Sequence, residues 1–177
     1  GSGEVSGELY GDKLALTQCS GSAPCPAATN FQFLGATCVH ADENVFDQSP
    51  FDGVMGLGPN ALAIQGTTHV MDALVQGGAI GANQKIFAFY LTPNANQEGS
   101  EFTVGVDESR YTGSMNWHNI IPGSKHFELK LASVSVGGQQ LDLGPGSGSI
   151  VPDTGTSLIT GPATLISAIS ASLGPVA

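Results

Sequence analysis

The chain has 177 residues, with 15 Asp and Glu against 5 Lys and Arg and a formal net charge of −10. This balance argues against nucleic acid as a partner, because phosphate binding needs clustered cations, and Lys13, Lys85, Arg110, Lys125 and Lys130 form no run. An apolar content of 41% with 25 Gly and 10 Pro suits a turn-rich globular fold of one or two domains, and no apolar stretch approaches the roughly 20 residues of a membrane-spanning helix.

Residues 4–16 alternate polar and apolar around Val5, Leu9, Leu14 and Leu16, which predicts a strand. Cys19 and Cys25 follow, six residues apart across the turn-forming Ser-Gly-Ser-Ala-Pro, so a small disulfide loop and an oxidising compartment are expected. Residues 31–38 repeat the strand pattern with Phe31, Phe33 and Leu34, and Cys38 reads as a small buried hydrophobe within it. Val70, Met71, Leu74 and Val75 recur at helical spacing, with Thr68 as the expected cap and Gly77-Gly78 as the stop. The apolar run from Lys85 to Leu91 is strand-like, and the turn signal at 93–99 marks a candidate boundary.

Residues 101–106 predict a further strand, and 127–136 another whose phase shifts between Leu131 and Val134, as a bulge would make it do. Gly137-Gly138 supplies a hairpin turn. The Gly-rich run 144–149 leads into Ile150-Val151 rather than a helix, so it reads as a loop and not as a phosphate cradle. Pro162 at a first helical position, with Leu165, Ile166, Ile169 and Leu173 on one face and Gly174-Pro175 as the stop, predicts a second helix. Trp117 is expected in the core.

Few residues carry chemistry. His40, His69, His118 and His126 share no metal-ligand spacing with each other or with the cysteines, so no metal and no cofactor is expected. Ser157 lacks the Gly-x-Ser-x-Gly elbow of a hydrolase nucleophile. What remains is Ser149-Ile-Val-Pro-Asp-Thr-Gly-Thr-Ser-Leu-Ile, an apolar strand that delivers Asp153 into a turn of small hydroxylated residues between apolar flanks. Gly155 lets the backbone pass close to the carboxylate, and the hydroxyls of Thr154 and Thr156 can donate to it. On its own Asp-Thr-Gly is equally a plain turn, the commoner meaning of these three residues.

Several segments taken in order change that balance. Gly1 to Gly7, Ser49-Pro-Phe-Asp-Gly-Val-Met-Gly-Leu-Gly, Phe102-Thr-Val-Gly-Val-Asp, Tyr111-Thr-Gly-Ser-Met-Asn-Trp and Val151-Pro-Asp-Thr-Gly-Thr-Ser-Leu-Ile-Thr-Gly-Pro together resemble the pepsin-like aspartic endopeptidases. The resemblance implies a mainly β, bilobal acid protease fold, incomplete here and with a few short helices. It implies residues 1–92 as the rear of the first lobe, 93–100 as a linker and 101–177 as the front of the second. Asp153 matches the second-lobe catalytic aspartate, Thr154 the residue linking the two catalytic loops, Thr156 the donor to the outer carboxylate oxygen, and Gly155 the turn between them. Val54, Met55 and Gly56 match the support of the first catalytic loop. Gly1, Ser2 and Gly3 match the flap, and Phe51 and Tyr111 match substrate-lining positions, although plain packing explains both equally well.

Such enzymes need two carboxylates, which share a proton when held about 3 Å apart because both cannot ionise. The first Asp-Thr-Gly and the flap tyrosine would precede Gly1, so this chain is expected to be a fragment, inactive alone, of a monomeric secreted or vacuolar/lysosomal endopeptidase acting on polypeptides. Pro152, in place of the usual apolar residue, removes a backbone donor from the strand. The alternative is a pepsin-like binding or inhibitory protein without catalysis.

Overall fold

A computed structural model describes residues 3–16, 25, 27–41, 51–94, 97–146 and 148–174. The chain is mainly β with two helices, and its four sheets, each two-stranded, stay small and unclosed among the described residues. It divides into two compact units, Gly1–Ser114 and Met115–Ala177.

In the first unit the opening alternation becomes β1 (Gly3–Ala15), which pairs antiparallel with β2 (Ala27–Ala41) from Gly3 opposite Ala41 to Ala15 opposite Ala27. The register shifts at Ser6/Gly7 and Asp12/Leu14. Such shifts bend a long ribbon and let it change which side chains face inward. β2 starts earlier than its apolar pattern predicts, because Ala28 opposes Leu14 and is buried in the core.

Helix α1 (Val70–Gln76) buries Val70, Met71, Ala73 and Leu74, the inward stripe that its spacing predicts. With Ala28 they form the core, flanked by Leu14, Phe31, Leu57, Ile80, Phe87 and Val104. Fully burying each large side chain contributes roughly 1.5–3 kcal/mol. The cap differs from expectation. His69, not Thr68, occupies it, and its ring nitrogen accepts the Met71 N–H at 3.3 Å. Thr68 instead ties the helix entrance to β2: its N–H donates to the Gln32 carbonyl at 2.9 Å and its hydroxyl accepts the Gln32 N–H at 3.3 Å. Long-range pairing thus removes the hydroxyl that local sequence would use. Gly77 and Gly78 close the helix, the latter at φ +71°.

β3 (Phe87–Tyr90) pairs with β4 (Glu101–Val104), and the segment 93–100 forms part of their connection. There the Thr92 N–H donates to the Ser100 hydroxyl at 3.1 Å. Beyond β4, Asp107 caps a single 3-10 turn by accepting the Ser109 N–H. Arg110 donates twice to Glu101, at 2.6 and 3.0 Å, and lies 4.9 Å from the centre of the Tyr90 ring.

In the second unit the predicted 127–136 strand is two strands in different sheets. β5 (Leu129–Lys130) pairs with a later strand, β8 (Ser149–Ile150), whereas β6 (Val134–Val136) pairs with β7 (Gln139–Leu141). The phase change in the sequence marks this change of partner, not a bulge. Gly137 and Gly138 form the β6–β7 turn at φ +58° and +82°, which a two-residue hairpin demands and L side chains resist. Helix α2 (Ala163–Leu173) starts one residue later than predicted, with Pro162 as its cap. It contacts β6 and β7 and buries Leu165 at 7% exposure, while Leu173, expected on the same face, lies 70% exposed in the last turn. Trp117 is also at the surface, 71% exposed, where a core position was expected.

Candidate active site

The Asp153 turn is built by short-range bonds. β8 carries the chain to Ile150, and Pro152, which has no N–H to donate, stands beyond the end of the ladder. The chain then folds back on the carboxylate. Asp153 Oδ1 accepts the Gly155 N–H at 2.9 Å, Oδ2 accepts the Thr156 hydroxyl at 2.6 Å, and the Asp153 carbonyl accepts the Thr156 N–H at 3.3 Å. A β-carbon on Gly155 would stand 3.2 Å from Asp153 Oδ1, closer than a carbon comfortably sits, so glycine keeps the donor near its acceptor.

These bonds tune the acid. The Thr156 hydroxyl first, then the Gly155 N–H, hold Asp153 below the ordinary aspartate range; desolvation opposes them, and the charge of His126 is the smallest contribution. The group is therefore an ionised, oriented acceptor at neutral pH. Its surroundings differ from expectation in one respect: the turn is exposed, not sunk between apolar flanks, and Leu158 and Ile159 are 75% and 78% exposed. A two-residue strand cannot bury the residues that follow it. Thr154 is exposed, and no hydrogen bond of its hydroxyl is found among the described residues.

The other candidates are spread over the chain. Val54, Met55 and Gly56 lie in an exposed loop of the first unit, with Val54 80% exposed. Phe51 is exposed in the same unit, and Tyr111 is half-buried directly after Arg110. Gly3 opens β1 opposite Ala41, whereas Gly1, Ser2 and Cys19 lie outside the described residues. The first unit also carries an open depression of 440 Å³, lined by Asn60, Gln65, Thr67, His69 and Asp72 among others, and none of the candidates contributes to it. Asp72 there is held below its usual range by Lys85 and then by Asn60, an arrangement explained as a surface ion pair between the helix and the chain beyond it. Among the described residues no group of three or more His, Cys, Asp and Glu could hold a metal, and no helix is long and apolar enough to cross a membrane.

Two residues around the Asp153 turn escaped the sequence reading. Glu128 is held below its ordinary range by hydrogen bonds from Ser149 first and Ser124 second, and the charge of His126 is the smallest contribution there as at Asp153. The sequence offered no signal for either, since both precede the two-residue strand β5 and meet their neighbours only through the fold.

Comparison with known proteins adds an independent line. A family model described as Eukaryotic aspartyl protease matches residues 1–177. Pepsin A of Sus scrofa is 36% identical over 128 residues, covering 71% of this chain and 32% of that protein. Cathepsin E of Cavia porcellus is 36% identical over 143 residues, covering 79% of this chain and 33% of that protein. A pregnancy-associated glycoprotein of Equus caballus is 36% identical over 126 residues, covering 70% of this chain and 31% of that protein. The matched stretch spans about a third of the length of these curated relatives.

Proposed function

Because this chain belongs to the eukaryotic aspartyl protease family, we propose that it is part of an aspartic endopeptidase and supplies Asp153 as one of the two catalytic carboxylates. The observation that carries this reading is the double hydrogen bonding of Asp153, one oxygen to the Gly155 N–H and the other to the Thr156 hydroxyl. A carboxylate held at both oxygens is pre-aimed, and its remaining lone pairs are free to accept a proton from water. The second carboxylate comes from outside these 177 residues, which contain a single Asp-Thr-Gly. Brought within about 3 Å, the two share one proton, so one acts as base towards the water and the other as acid towards the peptide carbonyl and leaving amine.

The same proposal includes the supporting assignments. Thr154 links the two catalytic loops, Val54, Met55 and Gly56 support the first of them, and Gly1 to Gly3, Phe51 and Tyr111 border bound polypeptide. Residues 1–92 and 101–177 are assigned to successive lobes. A Cys19–Cys25 bridge is supported by the disulfide-bonded state of Cys25 and favours a secreted or vacuolar/lysosomal protein, monomeric at full length.

A second reading, a pepsin-like binding protein without catalysis, is favoured by one observation: the relatives include a pregnancy-associated glycoprotein, a name that states no peptidase activity. Peptide cleavage between about pH 2 and 5, where a shared-proton dyad is singly protonated, separates the two. The 177-residue chain is expected to be silent. The chain extended through its natural coding sequence is expected to cleave, and Asp153→Asn to reduce the rate by about 10³-fold or more. A folded, silent extended chain would establish the binding protein instead.

A further inference from the structure

Of the aspartates in the sequence, only Asp52 is followed by glycine, and no asparagine is. The Asp52-Gly53 pair lies in the exposed stretch 51–56, outside every helix and strand, with a bend at Asp52. Among the described residues neither the Asp52 carboxylate nor the Gly53 N–H has a hydrogen-bond partner. Every other described aspartate has its carboxylate engaged. Asp12 accepts the Lys13 N–H at 2.7 Å, Asp107 the Ser109 N–H at 2.9 Å and Asp142 the Gly144 N–H at 3.0 Å. Asp72 is held by Asn60 at 2.8 Å and by Lys85, and Asp153 by Gly155 and Thr156. A hydrogen bond fixes a carboxyl group in one orientation, whereas an unbonded one turns freely about its side-chain bonds.

The residue on the C-terminal side differs as well. Lys13, Ala73, Glu108, Leu143 and Thr154 each place a β-carbon beside the backbone nitrogen that follows an aspartate. Gly53 has none, and nothing lies within 4 Å of where one would stand. The Gly53 nitrogen is therefore open to the Asp52 carboxyl carbon, and no ladder or helical bond restrains the backbone between them.

We propose that Asp52-Gly53 is a site of spontaneous isoaspartate formation. The Gly53 amide nitrogen attacks the Asp52 carboxyl carbon, and the new C–N bond closes a five-membered succinimide. The bond from that carbon to its hydroxyl oxygen breaks, and the hydroxyl leaves as water with the amide proton. Water then adds to the Asp52 backbone carbonyl, and the bond from this carbon to the Gly53 nitrogen breaks, the nitrogen recovering its proton. The main chain now runs through the Asp52 side chain and is one carbon longer, and the former backbone carbonyl is a free carboxylate. Nothing is oxidised or reduced, and the water lost in the first step is replaced in the second. The longer link stands directly before Val54, Met55 and Gly56, so it re-aims the loop that carries them. This chemistry requires neither catalysis nor a second carboxylate, and it holds for the peptidase and the binding protein alike.

The folded 177-residue chain is warmed in mildly acidic water enriched in oxygen-18 and then digested. Mass spectrometry with electron-transfer fragmentation separates isoaspartate from aspartate in the peptides. The expected result is isoaspartate at position 52, carrying one heavy oxygen, with Asp12, Asp72, Asp107, Asp142 and Asp153 unchanged over the same period. Asp52→Glu, whose longer side chain would have to close a larger ring, is expected to lose the product, and Gly53→Val to slow its accumulation severalfold. Both positions are exposed, so the fold is retained in each variant. The chain unfolded in urea is expected to form isoaspartate at position 52 at a similar rate, because the fold neither holds this carboxylate nor pairs this N–H. Absence of isoaspartate at position 52 would overturn the proposal, as would equally fast formation at another of these aspartates. So would a rate unchanged by Gly53→Val, or one far higher in urea than in the folded chain.

Discussion

The two units of this chain hold themselves together in different ways. The first closes α1 over β2 and the β3–β4 hairpin, with Met71 and Leu74 essentially free of solvent. The second has only Leu165 as a buried large residue among the described ones, and its strands are two or three residues long. Asp153 stands in this second, thinly packed unit. Local turn chemistry can therefore preassemble a carboxylate and its donors without a core beneath them, because the Asp153 bonds span at most three residues.

That contrast can be broken by experiment, beginning with the largest effect. Leu74→Ala is expected to cost about 2–5 kcal/mol by chemical denaturation, the range for truncating a fully enclosed leucine. Leu165→Ala is expected to cost about 1–2 kcal/mol, because its neighbours are half exposed and can settle into the space. Equal losses would show that the second unit is as tightly packed as the first. Gly138→Ala is expected to cost about 1 kcal/mol through its φ of +82°, with Gly137→Asn close to neutral because Asn tolerates the left-handed region.

Smaller effects sharpen the picture at the surface. Arg110→Ala removes an exposed clasp on Glu101 and Tyr90 and is expected to lower stability only slightly, and less at high salt. Thr156→Val deletes the leading cause of the lowered Asp153 midpoint, which is therefore expected to move up when followed by carboxyl NMR. The sign for stability follows from the lowered folded-state value. The Asp153 contribution is present at neutral pH, above the unfolded value, and fades as pH falls through the depressed folded one, so wild type and Thr156→Val are expected to converge in strong acid. Persistent separation there would mean that the hydroxyl acts through packing, not through the charge.

Much of the first unit was legible because its signals repeat. Alternation over 4–16 and helical spacing at Val70, Met71 and Leu74 each involve several residues that fail together if the reading is wrong. Single-residue signals fared worse. Thr68 is as good a cap as His69 by local chemistry, and only the arrival of Gln32 from β2 takes it away. Trp117 was placed in the core on residue type alone, and the second unit offers it no covered site. The phase break before Val134 was visible, but sequence carries no record of which partner each half would pair with.

At the candidate site the division is similar. Asp153, Gly155 and Thr156 were found from their order, because a side chain that bonds its own turn needs neighbours at fixed short offsets. Their exposure was not foreseen, since flanking Leu158 and Ile159 look the same in sequence whether covered or bare. His126 was read, with the other three histidines, only for metal-ligand spacing, which it lacks.

By itself, then, the sequence determined the elements whose causes are local: the alternating strands, the apolar stripe of α1, the Gly137-Gly138 turn and the hydrogen-bonded Asp153 loop. The tertiary structure decided partners: which side chain caps α1, which strands share a sheet and which apolar side chains are covered. The reason is range. Backbone geometry and turn bonding act over a few residues, whereas burial, ladder register and Coulomb forces act between segments that only folding brings together.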